Sequence, residues 1–192
     1  MKTWLRVSLA TIAGLALGAG AAWTMAGKGF GRADIVNGPW TTSLSFGTSE
    51  TDASTRASVA RRGLLALPST ETIYWQASVD SDGNPLDGNC TYAMTGTALD
   101  ARWWSITFYD KAGYLVANPA NIWSFSGAAI TDAEKAAWRV TLGPNRPATG
   151  HWLPSKKGKG FDLTLRLYNP GAAFRAAPAT SALPVIKRET CA

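Results

Sequence analysis

The sequence predicts a mainly β protein: an antiparallel β-sandwich of jelly-roll type with one short helix, preceded by an N-terminal transmembrane helix. Three observations carry this. An uncharged stretch opens the chain, short runs of alternating apolar and polar residues follow, and turn-forming residues separate those runs. No β–α–β rhythm and no internal repeat is visible. The 192 residues suffice for one ordinary domain with an accessory segment. Hydrophobic residues make up 46%, with nine tryptophans, which supplies a sizeable core and excludes global disorder.

The first element follows Lys2 and Arg6. Val7–Gly27 is 21 residues without a charge, about 30 Å as a helix and one hydrocarbon core thick. Trp4 and Trp23 lie near its ends, where an aromatic belt forms. A secretory signal would be shorter and would end in a small-residue cleavage site, for which Ala19-Gly20-Ala21 is available. Length and the paired tryptophans favour a retained anchor, with residues 5–26 in the membrane. Lys28 and Arg32 follow the span, so charge alone orients it poorly. The N-terminus is assigned to the cytoplasm because the rest reads as an exported domain. Ala10, Gly14, Gly18 and Ala22 form a small-residue row, making Gly14 and Gly18 the candidate contact of a homodimer.

Residues 28–37 are a linker, and residues 38–192 form the β-domain. Gly38-Pro39-Trp40 is a turn before an entry strand. Ser49–Leu67 reads as helical: Ser49-x-x-Asp52 resembles a capping box, Val59, Ala60, Leu64 and Leu67 are near-helical in spacing, and Pro68 ends the run. Glu71–Asp80 is a strand, Ser81–Gly88 a turn with Asp82-Gly83 and Asn84-Pro85, and Cys90–Thr95 the returning strand. Trp104, Ile106 and Phe108 then alternate with Trp103, Ser105, Thr107 and Tyr109. Asp110–Gly113 turns the chain, Tyr114–Ala117 returns, and Asn118-Pro119 stops it. Trp138–Leu142 and Phe161–Tyr168 are further strands. Phe161, Leu163, Leu165 and Leu167 share one face of the last, while Asp162, Thr164, Arg166 and Tyr168 share the other. The Ala/Pro-rich tail, residues 171–192, is expected to lie extended over the body. The tryptophans, Trp104 and Trp123 among them, are expected mainly to fill the interior.

Charge is uneven. Residues 28–134 hold seven basic and eleven acidic side chains, and residues 135–192 ten basic and two acidic. A basic surface of this kind suits anionic lipid or glycan, but it is foremost a solvated face, and no nucleic-acid partner is expected. Cys90 and Cys191 are an even pair in an exported chain, which predicts a disulfide.

The signatures ETIYW at Glu71–Trp75, CTY at Cys90–Tyr92, RWWSITFYDKAGYLVANP at Arg102–Pro119, HWLP at His151–Pro154 and FDLTLRLYNP at Phe161–Pro170 resemble the family called domain of unknown function 1214. The resemblance runs from about Gly38 to Cys191, with its centre at about 71–170. It is to short, single-domain, membrane-anchored bacterial members; longer members carry a further upstream domain, for which this chain has no room. It implies a jelly-roll-like domain in the bacterial envelope, on a single-pass inner-membrane anchor with the C-terminal domain in the periplasm. It implies no established activity.

For chemistry, Trp103, Tyr109 and Tyr114, with Arg102 and Asn118 nearby and Arg166 and Tyr168 from the last strand, are the candidate ligand-binding residues. The competing reading is a sheet covered on both faces, with Arg166 paired to Asp110 or Asp162. Asp80-Ser81-Asp82-Gly83-Asn84 with Asp87 resembles a cation loop but lacks an acid at the twelfth position, where Thr91 stands, so no metal is assigned. His151 is the only histidine, reads as a loop residue, and has no G-x-S-x-G partner. Lys156–Gly160 is a basic turn without phosphate-loop order. No cofactor and no catalytic set is assigned. The leading reading is an envelope protein whose exported domain binds a small ligand, glycan or protein partner. The alternatives are an envelope hydrolase acting on lipid or glycan, and a structural subunit of a membrane complex.

Overall fold

The computed structural model describes residues 2–27, 35–61 and 65–191. Lys28, Arg32, Arg62, Leu64 and most of the linker lie outside them. Helix α1 spans Thr3–Gly27, and Thr3–Thr24 is long and apolar enough to cross a membrane. Its large side chains are exposed, Leu15 at 70% and Leu17 at 74%, so the described residues leave most of this apolar surface open.

The body is two packed sheets, as a mainly β sequence with alternating strands requires. Strands β1 (Ile35–Asn37), β2 (Trp40–Thr42), β3 (Thr72–Ala77), β4 (Cys90–Gly96), β5 (Ala101–Asp110), β6 (Ser124–Ser126), β7 (Trp138–Gly143), β8 (His151–Pro154), β9 (Phe161–Pro170) and β10 (Val185–Cys191) arise in that order. One sheet runs β1-β2-β3-β9-β5-β6, antiparallel throughout. The other runs β10-β4-β7-β8, and only its β7–β8 pair is parallel. Period-two patterning decides what meets between the sheets. Trp104, Ile106 and Phe108 of β5 and Phe161, Leu163, Leu165 and Leu167 of β9 are all buried. Trp104 stacks on Trp138 across the interface at 5.3 Å, and Tyr92 meets Phe161 edge-on at 5.8 Å. Gly96 stands opposite Trp138, where an added Cβ would lie 2.5 Å from the indole.

The structure corrects several expectations. Helix α2 spans Ala53–Arg61 only. Its cap is Asp52, not Ser49: the carboxylate accepts the N–H of Ser54 and of Thr55, two donors that a serine hydroxyl could not both satisfy so well. Leu65 and Leu67 lie beyond the helix and are exposed. Tyr114–Ala117 is not a strand but touches β5 through a single bridge, Tyr109–Leu115. The edge neighbour of β5 is β6, whose Ser-Phe-Ser carries too little apolar signal to be noticed. Trp123, beside that edge, is 38% exposed and does not fill the interior. His151 lies in β8 rather than in a loop. The tail contains helix α3 (Ala172–Ala176) before it becomes β10, whose Ile186 is fully buried against β4. Cys191 stands opposite Cys90 in that pairing, and the two form a disulfide. Trp40 donates its indole N–H to Pro184 O at 2.7 Å, tying the entry strand to the tail.

Candidate functional site

The outer face of the six-stranded sheet is a ladder across β5 and β9. Trp103 stands opposite Tyr168, Ser105 opposite Arg166, Thr107 opposite Thr164, and Tyr109 opposite Asp162. On the other flank of β9, Tyr74 of β3 stands opposite Arg166 and Gln76 opposite Thr164. Such a face is unusual in its composition. It holds hydroxyls, rings and one guanidinium in place of the lysines and glutamates of a simple solvated sheet.

Arg166 is half-buried and leans along the ladder. It donates to Thr107 Oγ1 at 3.1 Å and to Tyr109 Oη at 2.9 Å, and its guanidinium lies 5.6 Å from the centre of the Tyr109 ring. The expected carboxylate partner is absent from this arrangement. Asp162 is held by Lys111 at 2.7 Å, and Asp110 accepts the N–H groups of Ala112 and Tyr114 to close its own turn. Among the described residues, the Arg166 charge is met by neutral hydroxyls and a ring alone.

At the other end of the ladder, Trp103 and Tyr168 contact each other at 5.2 Å between ring centres, and Trp103 is 41% exposed. Six residues separate Trp103 from Tyr109 along β5, about 20 Å of strand. The face is therefore elongated, but its middle is covered: Ser105, Thr107, Thr164 and Asp162 are buried, which leaves an aromatic end at Trp103 and a half-buried cationic end at Tyr109 and Arg166. Tyr74 is buried at the β3 flank, where its hydroxyl accepts the Leu67 N–H and donates to Leu65 O, so the segment after α2 covers that side.

Four of the seven sequence candidates thus share this face: Trp103, Tyr109, Arg166 and Tyr168. The other three do not join them. Arg102 is exposed, one step out of phase with Trp103. Tyr114 projects from the turn at 73% exposure. Asn118 is engaged by its own loop, donating to Val116 O and Ile122 O and accepting the Ile122 N–H. Ser105, Thr107 and Thr164, which alternation places on the same face, complete the ladder and are buried.

The remaining motifs resolve into structure. Asp80 is 1% exposed, and its carboxylate accepts the N–H groups of Asp82 and Asn84 and pairs with Arg188 Nε at 3.2 Å, so its oxygens organise a turn. His151 Nε2 pairs with Glu134 Oε1 at 2.9 Å. Glu134 Oε2 in turn accepts the N–H and the hydroxyl of Thr131, which ties the short turn Ala133–Ala136 back to the residue two before it.

Comparison with known proteins returns fold rather than chemistry. A family model described as "Protein of unknown function (DUF1214)" matches residues 71–172. No curated protein matches the chain. Among solved structures, the VPA0106 protein from Vibrio parahaemolyticus is similar at 21% identity with a TM-score of 0.60. That match covers 99% of this chain and 47% of the other, so this chain spans about half the length of that relative. An uncharacterised protein from Burkholderia cenocepacia matches at 17% identity and a TM-score of 0.43, over 64% of this chain and 30% of its own.

Proposed function

The chain belongs to the DUF1214 family of proteins of unknown function, and from that premise we propose a membrane-tethered envelope domain that binds an extended, anion-bearing glycan along the outer face of its six-stranded sheet. The observation that carries the reading is Arg166. A half-buried guanidinium that faces hydroxyls without a carboxylate is equipped to receive an anionic group from outside, bidentately and with little reorganisation. The Trp103–Tyr168 pair offers a ring surface for a sugar face at the far end. The ladder's carboxylate, Asp162, is already held by Lys111, so the face favours binding over acid–base turnover.

The tether rests on α1, whose exposed apolar length needs lipid, and the compartment on the Cys90–Cys191 bond, which persists where the surroundings are oxidising. In this reading residues 5–26 span the inner membrane and the β-domain lies in the periplasm.

The test is a titration of the full chain, in nanodiscs of zwitterionic lipid, with oligogalacturonate and with neutral cello-oligosaccharide, read by tryptophan fluorescence and calorimetry. The acidic oligomer is expected to bind and the neutral one to bind more weakly. Arg166→Met and Trp103→Ala are each expected to weaken the acidic oligomer by roughly tenfold, the scale of one charge-assisted contact or one good ring contact. Equal affinity for both oligomers, or an Arg166→Met chain that binds as the parent does, would end the reading.

A further inference from the structure

A second concavity lies at one end of the sandwich, where the interior between the sheets opens. Its volume is about 460 Å³, within the range of small-molecule sites. Behind it lie Phe108 and Phe161, stacked at 4.2 Å, with Val116 beside them, all buried, so the apolar surface open to a ligand is that of Leu115, Ala112 and Ala117. Leu115, 50% exposed, stands on the rim. Three lysines, Lys111, Lys156 and Lys159, complete the lining. One carboxylate is present, Asp110, and it is occupied with the backbone of its turn.

The lysines are presented by a fixed backbone. Gly88 donates its N–H to Lys159 O and Gly158 donates to Asn89 Oδ1, both at 2.9 Å. Gly160 bridges to Asp87. The close approach is enforced at Gly88, where an added Cβ would lie 2.0 Å from Lys156 O. Lys111 is engaged with Asp162, whereas Lys156 and Lys159 are exposed and meet no carboxylate among the described residues. Apolar surface beside two uncompensated ammonium groups is complementary to one kind of molecule.

We propose that this cleft takes a free single-chain amphiphile with an anionic head, of the fatty-acid class. The carboxylate sits between Lys156 and Lys159, and the hydrocarbon lies along Leu115 and Ala117, above the buried Phe108, Val116 and Phe161. The cleft and Arg166 lie on opposite sides of the sheet, since Phe108 and Phe161 point to the interior and Arg166 to the outer face, and the Lys111–Asp162 pair links the two.

The experiment is photolabelling of the full chain, in nanodiscs of zwitterionic lipid, with a diazirine-bearing dodecanoate and with the matching dodecanol, mapped by peptide mass spectrometry. The acid is expected to label residues 108–117 and 156–161, and excess plain dodecanoate to remove the label. In Lys156→Gln/Lys159→Gln, a surface change that leaves the core alone, labelling at low probe concentration is expected to fall by roughly tenfold, the scale of two exposed charge pairs. Ala117→Trp, which fills the mouth, is expected to abolish it, and Arg166→Met to leave it unchanged. Labelling confined to α1, equal labelling by the alcohol, or an undiminished double variant overturns the proposal. So does Lys156- and Lys159-dependent sedimentation with phosphatidylglycerol vesicles in the absence of cleft labelling, which would assign the lysines to a membrane surface.

Discussion

Thr72 is 1% exposed, and its hydroxyl meets no partner among the described residues. A buried, unpaired hydroxyl carries its desolvation cost uncompensated, whereas a methyl of the same shape carries none. Thr72→Val is therefore expected to stabilise the fold by about 1 kcal/mol, seen as a higher urea midpoint with an unchanged slope. A lower midpoint would mean that the hydroxyl has a partner. Tyr109 presents the opposite case. Its hydroxyl accepts from Arg166 at 2.9 Å, so Tyr109→Phe removes one of the two groups that aim the guanidinium. The ring remains for packing and for the cation. The expected outcome is a loss of about 1 kcal/mol in glycan affinity with the fold intact, checked by the same oligogalacturonate titration. Unchanged affinity would show that Tyr109 does not position the charge.

Between residue and element lies the question of what the sequence could reveal. Alternation in Trp103–Tyr109 and Phe161–Tyr168 gives each side chain its face, because side chains alternate on any strand, but it does not show that the polar face is largely buried as well. Alternation says nothing about lateral register. That Ser105 stands opposite Arg166, and that Lys111 reaches Asp162 first, depends on pairing across 50 or more residues. The carboxylate partner expected for Arg166 failed on that ground. Short elements failed for a different reason. The three residues of β6 and the four of β8 hold too few alternations to stand out. Thr131-x-x-Glu134 has the spacing of a capping box, yet the short turn Ala133–Ala136 starts from Asp132 and has no side-chain cap.

Element by element, two clamps hold the smaller sheet together. At its β8 side, Glu134 joins the turn Ala133–Ala136 to His151. The Thr131 N–H, then the Thr131 hydroxyl, then His151 hold the Glu134 carboxyl below the usual carboxylate range. A folded value below the unfolded one means the contribution is complete above the unfolded value and is lost as pH falls through the folded one. Glu134→Gln is therefore expected to flatten the acid limb of the stability profile while leaving its neutral part nearly parallel. Acid limbs that superimpose would show the clamp to be without consequence. At the β10 edge, the Cys90–Cys191 bond spans a sequence separation of 101. Closing a loop of that size is worth about 4–5 kcal/mol in the chain-entropy account. Cys191→Ser is expected to cost that order of stability, measured by denaturant titration, and to free β10 for exchange of its amide protons.

At the scale of the whole molecule, α1 and the disulfide constrain each other. An apolar helix with Leu15 and Leu17 largely exposed persists in lipid or is removed, since in water it would aggregate. A disulfide such as the one that pins β10 to β4 persists best in oxidising surroundings. Both conditions are met together if the chain crosses a membrane and keeps its helix there. The native protein is then expected to keep the α1 peptide joined to the β-domain, to stay with the membrane fraction through an alkaline wash, and to resist thiol alkylation until it is reduced. These readouts separate the alternatives. A smaller, soluble, alkylation-resistant species would mean that the helix is a cleaved leader and that the β-domain is released. A full-length, membrane-bound species with two reactive thiols would put the β-domain on the reducing side. That result would remove the basis for an envelope glycan as the ligand of the Arg166 face.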